Sequence, residues 1–220
     1  TEEWTYHIPE GMTTMEGALV EPAAVGMHAA VLGGAQPGKS IVILGGGTIG
    51  LMVLQACISL GATDITVVDV IEKRLELAKK LGAARVINGK EEDTVAVLRS
   101  EEMYGDHGVD LVFEAAGAVF TAQQAVQIVS RGGKIMMVGT QSKPVPIDFL
   151  KINREVTIQT SFRYCNNFPQ TIEAISSGRF NVKDMVTNIY DYEDVQKAFE
   201  EAIDPVKKTE MVKGVIKVAE

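Results

Sequence analysis

Three glycines and one aspartate in the first third of the chain have the clearest chemical meaning. Gly45, Gly47 and Gly50 form a Gly-x-Gly-x-x-Gly motif that follows one apolar run and opens another. In a strand–turn–helix unit, the first glycine permits the tight turn, the second lets the backbone approach a pyrophosphate, and the third lets helix and strand pack closely. Free N–H groups at the helix start attract the negative charge. The motif predicts a dinucleotide site, and its alternative is a glycine-rich turn without a ligand.

Asp69 indicates which dinucleotide the site prefers. It follows Gly50 by nineteen residues and ends the second predicted strand. A carboxylate there can accept hydrogen bonds from both hydroxyls of an adenosine ribose and would repel a 2′-phosphate, which favours NAD over NADP. Arg74 leaves three interpretations open, because an arginine could accept that phosphate, stack on the adenine or simply lie on the surface.

Residues suited to metal binding or nucleophilic catalysis are few and scattered. No histidine or cysteine pairs with another at metal-ligand spacing among His7, His28, His107, Cys57 and Cys165. His28 is predicted to be a packed helix residue. Glu21 precedes Pro22 at a predicted helix start, where a carboxylate is stabilised by the helix dipole.

Other nucleotide-binding classes fit the sequence less well. Methyltransferases usually space their glycines differently and reverse their last strand. Short-chain dehydrogenases need a Tyr-x-x-x-Lys pair, and no tyrosine here has a lysine four residues later. The P-loop-like Gly38-Lys39-Ser40 precedes a strand instead of following it, so we discount it.

Short apolar strands alternate with helices around the glycine motif, which is typical of a parallel sheet covered on both faces. The predicted strands are 41–44, 65–69, 84–87, 110–113, 134–138 and 156–159. The predicted helices of this region are 15–19, 22–32, 48–60, 73–81, 91–103 and 121–130, the last opening with a Thr121–Gln124 capping box. Beyond it we expect helices at 169–177 and 193–203 and extended segments at 186–190 and 211–218. The fold predicted is α/β, with a doubly wound six-stranded parallel sheet.

Composition restricts the partners and the location. The chain has 220 residues, 46% of them hydrophobic and 23% charged, with a formal net charge of −8. This acidity argues against nucleic acids and anionic membranes as partners. Residues 40–63 carry no charge, but their glycines and polar residues favour a buried strand, turn and helix over a membrane span. Two cysteines and no signal sequence make a cytoplasmic protein the expectation.

Several segments together are similar to a known family. They are Glu16-Gly-Ala-Leu-Val-Glu-Pro22, Leu44-Gly-Gly-Gly-Thr-Ile-Gly50, Val68-Asp69, Phe113-Glu-Ala-Ala-Gly117, Val138-Gly139 and Phe162-Arg-Tyr-Cys-Asn166. This pattern resembles the zinc-dependent medium-chain dehydrogenases, and within them the sorbitol and polyol dehydrogenase branch. The resemblance implies a Rossmann fold and reversible oxidation of a polyol or secondary alcohol, with NAD as hydride acceptor and zinc as Lewis acid.

The resemblance also implies roles for individual residues. Besides the glycine motif, the positions that match coenzyme contacts are Thr48, Ile49, Asp69, Arg74, Gly117, Val138, Gly139, Thr140, Ser161, Phe162 and Arg163. Arg163 and Tyr164 match polar residues on the substrate side. Glu21 matches a carboxylate near the catalytic zinc, although the cysteine and the His-Glu pair that complete that site have no counterpart in this sequence.

We therefore expect three parts: a catalytic-domain remnant at 1–22, a dinucleotide-binding domain at 23–162, and a returning segment at 163–220. The sequence matches the C-terminal portion of a family member, without the GroES-like catalytic domain, and should be inactive alone. A non-catalytic dinucleotide-binding module is the alternative. Association into oligomers is plausible, since the family often forms tetramers. The apolar end residues Trp4, Ile8, Met12, Val212, Val215 and Ile216 should lack a covering surface.

Overall fold

A computed structural model describes residues 2–152 and 155–218, so positions 1, 219 and 220 of the predicted end segments lie outside the described residues. Its main feature is a six-stranded, all-parallel sheet in the order β3-β2-β1-β4-β5-β6. The strands are β1 (Ser40–Leu44), β2 (Asp64–Asp69), β3 (Arg85–Asn88), β4 (Val109–Glu114), β5 (Val129–Met137) and β6 (Thr157–Thr160). The predicted doubly wound fold is confirmed.

Eight α-helices are described, and those between the strands cover both faces of this sheet. They are α1 (Thr14–Gly33), α2 (Thr48–Ser59), α3 (Glu72–Lys80), α4 (Thr94–Leu98), α5 (Val119–Ile128), α6 (Phe168–Ser176), α7 (Val195–Ile203) and α8 (Lys207–Glu210). Along β1, Ile41 and Ile43 join the core that holds α1 and α2, while Val42 and Leu44 join the core that holds α5. This burial on both faces explains the continuous apolar run, since successive strand residues point to opposite sides.

The two helices predicted at 15–19 and 22–32 form one continuous helix, α1, with Pro22 inside it. An interior proline costs about 3 kcal/mol. Burial offsets this cost, because Leu19, Ala23 and Met27 are almost fully buried and each large apolar side chain contributes about 1.5–3 kcal/mol. Gly26 permits the close packing of α1 on α2, since a Cβ there would lie 2.5 Å from the Met52 carbonyl carbon.

The other two predicted helix boundaries that need correction are those of α4 and α5. The helix predicted at 91–103 is shorter in the structure and spans only α4. It begins at Thr94 because the Asp93 carboxylate caps it by accepting hydrogen bonds from the Val95 and Ala96 amides. The capping box predicted at Thr121 is wrong. Helix α5 begins at Val119, and the Thr121 hydroxyl donates instead to the Glu114 carboxylate.

The C-terminal part of the chain adds a second, two-stranded parallel sheet. Its strands are β7 (Val186–Asp191) and β8 (Lys213–Lys217). The preceding residues Phe180, Val182 and Met185 are buried in the same core as α1 and α2. Residues 163–220 therefore contribute, in their described part, to the packing of the main sheet.

The predicted exposure of the chain ends holds for some residues and not for others. Trp4 is 70% exposed and Ile8 is also exposed, whereas Met12 and Val212 pack against the core. Val215 and Ile216 are half-buried. Among the described residues, no helix combines the length and apolar character that crossing a membrane requires.

Candidate dinucleotide-binding site

The glycine motif forms the turn between β1 and α2, and two of its positions admit no side chain. Gly45 has φ of +111°, and a Cβ on it would lie 2.8 Å from the Ala116 nitrogen. A Cβ on Gly50 would lie 1.8 Å from the Gly45 oxygen. Gly47 caps α2 without any side-chain hydrogen bond to the helix, and a Cβ on it would approach only the Arg74 guanidinium, at 3.9 Å. The first N–H groups of α2 are therefore accessible to an anion.

Asp69 ends β2 and faces this turn. Its Oδ2 accepts a hydrogen bond from the Gly46 amide at 2.6 Å, and its Oδ1 accepts from the Val70 and Ile71 amides at 2.7 and 2.9 Å. The carboxylate is thus fixed in direction. Because two carboxylate oxygens offer about four acceptor positions, it can still accept a hydrogen bond from a ligand.

Arg74 lies against Asp69. One guanidinium nitrogen is 3.7 Å from Asp69 Oδ2, another donates to the Lys208 carbonyl at 3.4 Å, and the buried Nε has no partner among the described residues. Of the three interpretations left open by the sequence, a side chain lying free on the surface does not describe this position. Binding of a phosphate and stacking on a base both remain compatible with it.

A cavity of about 350 Å³ opens beside Asp69 and Arg74. Two largely exposed apolar side chains, Val70 and Phe120, flank it, and the buried Thr94 hydroxyl on its wall has no hydrogen-bond partner among the described residues. An apolar pair beside an unpaired polar atom suits a flat heteroaromatic base. The cavity residues that were not named as site candidates from the sequence are Val68, Val70, Gly89, Thr94, Ala115, Ala116, Ala118, Phe120, Thr121 and Gln124. A usable signal existed for Phe120, which follows the carboxyl end of β4, where ligands of such sheets bind.

The ends of β4 and β5 form the other side of the site. A Cβ on Gly139 would lie 2.3 Å from the Gly117 nitrogen, and one on Gly117 would lie 2.7 Å from the Thr140 oxygen. Val138 and Gly139 both donate their amides to the Glu114 carbonyl at 2.8 Å. The predicted residues Gly117, Val138, Gly139 and Thr140 are thus brought together in two loops that touch.

The segment after β6 carries the remaining predicted contacts. Ser161 donates its amide to the Met137 carbonyl at 2.8 Å, and its buried hydroxyl has no partner in the described part of the chain. Phe162 is 80% exposed, with the Arg163 guanidinium 5.3 Å from its ring centre. Tyr164 is half-buried and packs edge-on against Phe168. Arg163 and Tyr164 are therefore separate from the cavity at Asp69.

Two further predicted contacts, Thr48 and Ile49, are the first two residues of α2. Ile49 is half-buried. The Thr48 hydroxyl donates to the Val212 carbonyl, which connects the glycine turn to the segment before β8.

Glu21 does not lie where the sequence predicted. It is exposed in the interior of α1 and not at a helix start, because the helix continues through Pro22. No group of three His, Cys, Asp or Glu residues that could hold a metal exists in residues 2–152 and 155–218. Burial raises the pKa of the Cys57 thiol, which disfavours the thiolate that zinc binds. His28 contacts Asn167 at 3.1 Å, in keeping with a packed helix residue. The donors in the described residues therefore do not fit a zinc ion by themselves.

Comparison with known proteins places these features in a family. Residues 48–177 match the family described as "Zinc-binding dehydrogenase". The chain is 62% identical over 219 residues to the uncharacterised zinc-type alcohol dehydrogenase-like protein YdjJ of Escherichia coli, with 100% of the chain and 62% of that protein covered. It is 39% identical to the sorbitol dehydrogenase of Bacillus subtilis, with 92% of the chain and 57% of that enzyme covered.

Solved structures agree with this. An Escherichia coli oxidoreductase/dehydrogenase of unknown specificity superimposes with a TM-score of 0.95 at 61% identity, covering 100% of this chain and 62% of that one. The 2R,3R-butanediol dehydrogenase of Bacillus subtilis superimposes with a TM-score of 0.89 at 29% identity, covering 99% and 62%. The chain thus spans about three fifths of the length of these relatives. On the evidence of its sequence match, its relatives and its fold, the chain belongs to the zinc-binding dehydrogenase family.

Proposed function

We propose that these residues form the NAD-binding part of an oxidoreductase that transfers a hydride between NAD and a polyol or another secondary alcohol. The observation that carries the proposal is the Asp69 carboxylate, held by three backbone amides so that it faces the glycine turn and the open start of α2. A pyrophosphate at that helix start would place an adenosine ribose at Asp69.

The residues present fit a dinucleotide, and each has a distinct task. The α2 amides bind the pyrophosphate, Asp69 accepts the 2′-hydroxyl of the adenosine ribose at its remaining acceptor position, and Val70 and Phe120 flank the adenine. Gly117, Val138, Gly139, Thr140, Ser161 and Phe162 line the place of the second nucleotide. The dinucleotide, when bound, supplies the hydride acceptor. Arg163 and Tyr164 are proposed for the substrate side by the family resemblance. A polyol or secondary alcohol is proposed as the substrate because the relatives include a sorbitol dehydrogenase and a D-xylulose reductase.

Asp69 also supports NAD as the preferred cofactor. A 2′-phosphate on the ribose would be brought next to a fixed, largely buried carboxylate, which repels it. Arg74 does not remove this repulsion, because its guanidinium is shared between Asp69 and the Lys208 carbonyl. The free 2′-hydroxyl of NAD has the opposite effect, since it donates to the same carboxylate.

The test is a calorimetric titration of the 220-residue chain with NADH and NADPH. We expect NADH to bind at least tenfold more tightly, and Asp69→Ala to lower NADH affinity about tenfold while narrowing the preference. Asp69→Ala also removes the hydrogen bonds of Asp69 to the backbone, which should lower the affinity for NADH and NADPH alike. The ratio of these two affinities is therefore the informative quantity.

Asp64→Ala is the matched control. Asp64 begins the same strand, pairs with Arg85 and lies at the opposite end from the site. This variant should leave the NADH to NADPH ratio unchanged. Equal affinities of the unmodified chain for the two dinucleotides would refute the cofactor assignment.

A further inference from the structure

Glu114 is a fully buried carboxylate at the end of β4 that accepts hydrogen bonds from four donors. Its Oε1 accepts from the Ala116 amide at 3.0 Å, the Gly117 amide at 2.9 Å and the Thr121 hydroxyl at 2.7 Å. Its Oε2 accepts from the Gln141 side-chain amide at 2.8 Å. No cation pairs with it among the described residues, so backbone and side-chain dipoles alone compensate its burial.

These four bonds hold two separate loops together. Ala116 and Gly117 belong to the turn between β4 and α5, and Thr121 lies in the first turn of α5, whereas Gln141 follows β5. The main chain of Glu114 adds to the connection, since its carbonyl accepts from the Val138 and Gly139 amides. The contact is tight enough that no side chain fits on Gly139 or Gly117. A small shift of the Glu114 carboxylate would therefore move both loops.

The two loops lie at the topological switch point of the sheet. Strands β1 and β4 are neighbours in its centre, and the chain proceeds outward from them in opposite directions, to β3 and to β6. In such sheets the ligand lies in the crevice outside the carboxyl ends of the strands, with one nucleotide on each half. Since Asp69 takes the adenosine on the β2 side, the nicotinamide nucleotide belongs on the β4–β6 side, against these loops.

We propose that Glu114 is a positioning residue that fixes the nicotinamide side of the site by tying the loop after β4 to the loop after β5. The inference rests on the proposed function and assigns a task to a residue that touches no ligand itself. A buried charge without a counter-ion is expensive for folding, whereas an apolar side chain would fill the same space more cheaply. The four hydrogen bonds of Glu114 fix the loop positions, which an apolar side chain packed in the same space would not do.

The decisive variant is Gln141→Leu, which removes the hydrogen bond from the loop after β5 to the carboxylate and leaves the carboxylate in place. Gln123→Leu is its matched control, because Gln123 lies on the outer surface of α5 and donates to the Pro146 carbonyl. Each protein is titrated with NADH and with ADP, which lacks the nicotinamide nucleotide. The fluorescence emission of bound NADH is recorded as a second signal from the nicotinamide environment.

We expect Gln141→Leu to weaken NADH binding about five- to tenfold, the size of a typical net hydrogen-bond contribution, with ADP affinity changed less than twofold. The emission of bound NADH should shift toward that of free NADH. Gln123→Leu should leave the affinities for NADH and for ADP unchanged.

Glu114→Ala and Glu114→Gln extend the test. The alanine variant should lose more NADH affinity than Gln141→Leu, whereas glutamine should restore much of it. The reason is that an amide oxygen can accept the three loop bonds, and its NH₂ can donate to Gln141 Oε1, which has no partner among the described residues. If Glu114→Ala does not fold, the other two variants still decide the question.

Equal weakening of NADH and ADP, or no weakening of either, would overturn the positioning role while leaving the proposed function intact. Failure of the unmodified chain to bind NADH or ADP would overturn the proposed function itself, and the positioning role with it. The two failures are therefore distinguishable from the same titrations.

Discussion

At the scale of single residues, the site combines fixed acceptors with an open apolar slot. Asp69 and Glu114 are both buried carboxylates, and both are oriented by backbone amides of the loops that they border. They differ in what remains available. Asp69 borders the cavity and keeps an acceptor position for a ligand, whereas Glu114 is enclosed by protein donors. A buried carboxylate thus serves ligand binding at Asp69 and holds the loops in position at Glu114.

Phe120 allows a test of where the base lies. Phe120→Ala should lower the affinity for AMP about tenfold, because stacking of a base on an aromatic ring contributes about 1–3 kcal/mol. Isothermal titration calorimetry with AMP measures this. Phe199→Ala is the control, since Phe199 on α7 has the same 65% exposure but does not border this cavity. Unchanged AMP affinity in Phe120→Ala would place the base elsewhere.

At the scale of elements, the start of α1 couples stability to pH. The Thr13 hydroxyl caps the Glu16 amide at 3.2 Å, and the Glu16 carboxylate accepts from the Thr13 amide at 2.8 Å. Burial raises the pKa of Glu16, but hydrogen bonds from Thr13 and the nearby Lys183 ammonium outweigh it and hold that pKa below its ordinary value of 4.5. Stabilisation by this carboxylate is therefore complete at neutral pH and is lost as the pH falls through the folded-state pKa.

Thr13→Ala should lower the free energy of unfolding by about 1 kcal/mol at neutral pH. The difference from the unmodified chain should shrink in acid, where protonated Glu16 no longer accepts from Thr13. Urea denaturation at neutral and acidic pH measures both quantities. Thr63→Ala, at an exposed loop position, is the control. A difference that stays constant across this pH range would contradict the assigned role of Glu16.

The elements around the glycine motif were predictable because their patterns are local. The apolar run of β1, the glycines and the position of Asp69 each have a single good explanation in a strand–turn–helix unit. Pro22 misled the prediction of α1, because the burial that keeps that helix continuous comes from α2 and α6, distant in sequence. Thr121 was misread for a related reason: its hydroxyl partner, Glu114, lies on the preceding strand. Thr94 could not be predicted as a site residue, because its position on the cavity wall and its lack of a hydrogen-bond partner among the described residues depend on the tertiary structure.

At the scale of the whole molecule, the C-terminal segment is connected to the candidate site. Lys73 pairs with Glu210 at 2.8 Å, Arg74 donates to the Lys208 carbonyl, and Thr48 donates to the Val212 carbonyl. The glycine turn and the helix after β2 are thus both held by residues 208–212. Binding of a dinucleotide and order in this segment should consequently reinforce each other.

The described residues hold the proposed place of the hydride acceptor but no zinc-ligand group. We therefore expect the 220-residue chain alone to bind NADH yet form none from NAD and sorbitol, xylitol or 2,3-butanediol, with or without added zinc. Absorbance of reduced nicotinamide follows the reaction. Sustained turnover that a zinc chelator abolishes would show that these residues can assemble a catalytic metal site on their own.

The most direct measurement is a crystal structure of the chain with NADH. We predict a pyrophosphate on the amides of Gly47–Gly50, the 2′-hydroxyl of the adenosine ribose on the Asp69 carboxylate and the adenine between Val70 and Phe120. The nicotinamide should lie against the loops of Gly117 and Thr140. A dinucleotide bound elsewhere, or one whose ribose makes no contact with Asp69, would contradict the proposed site.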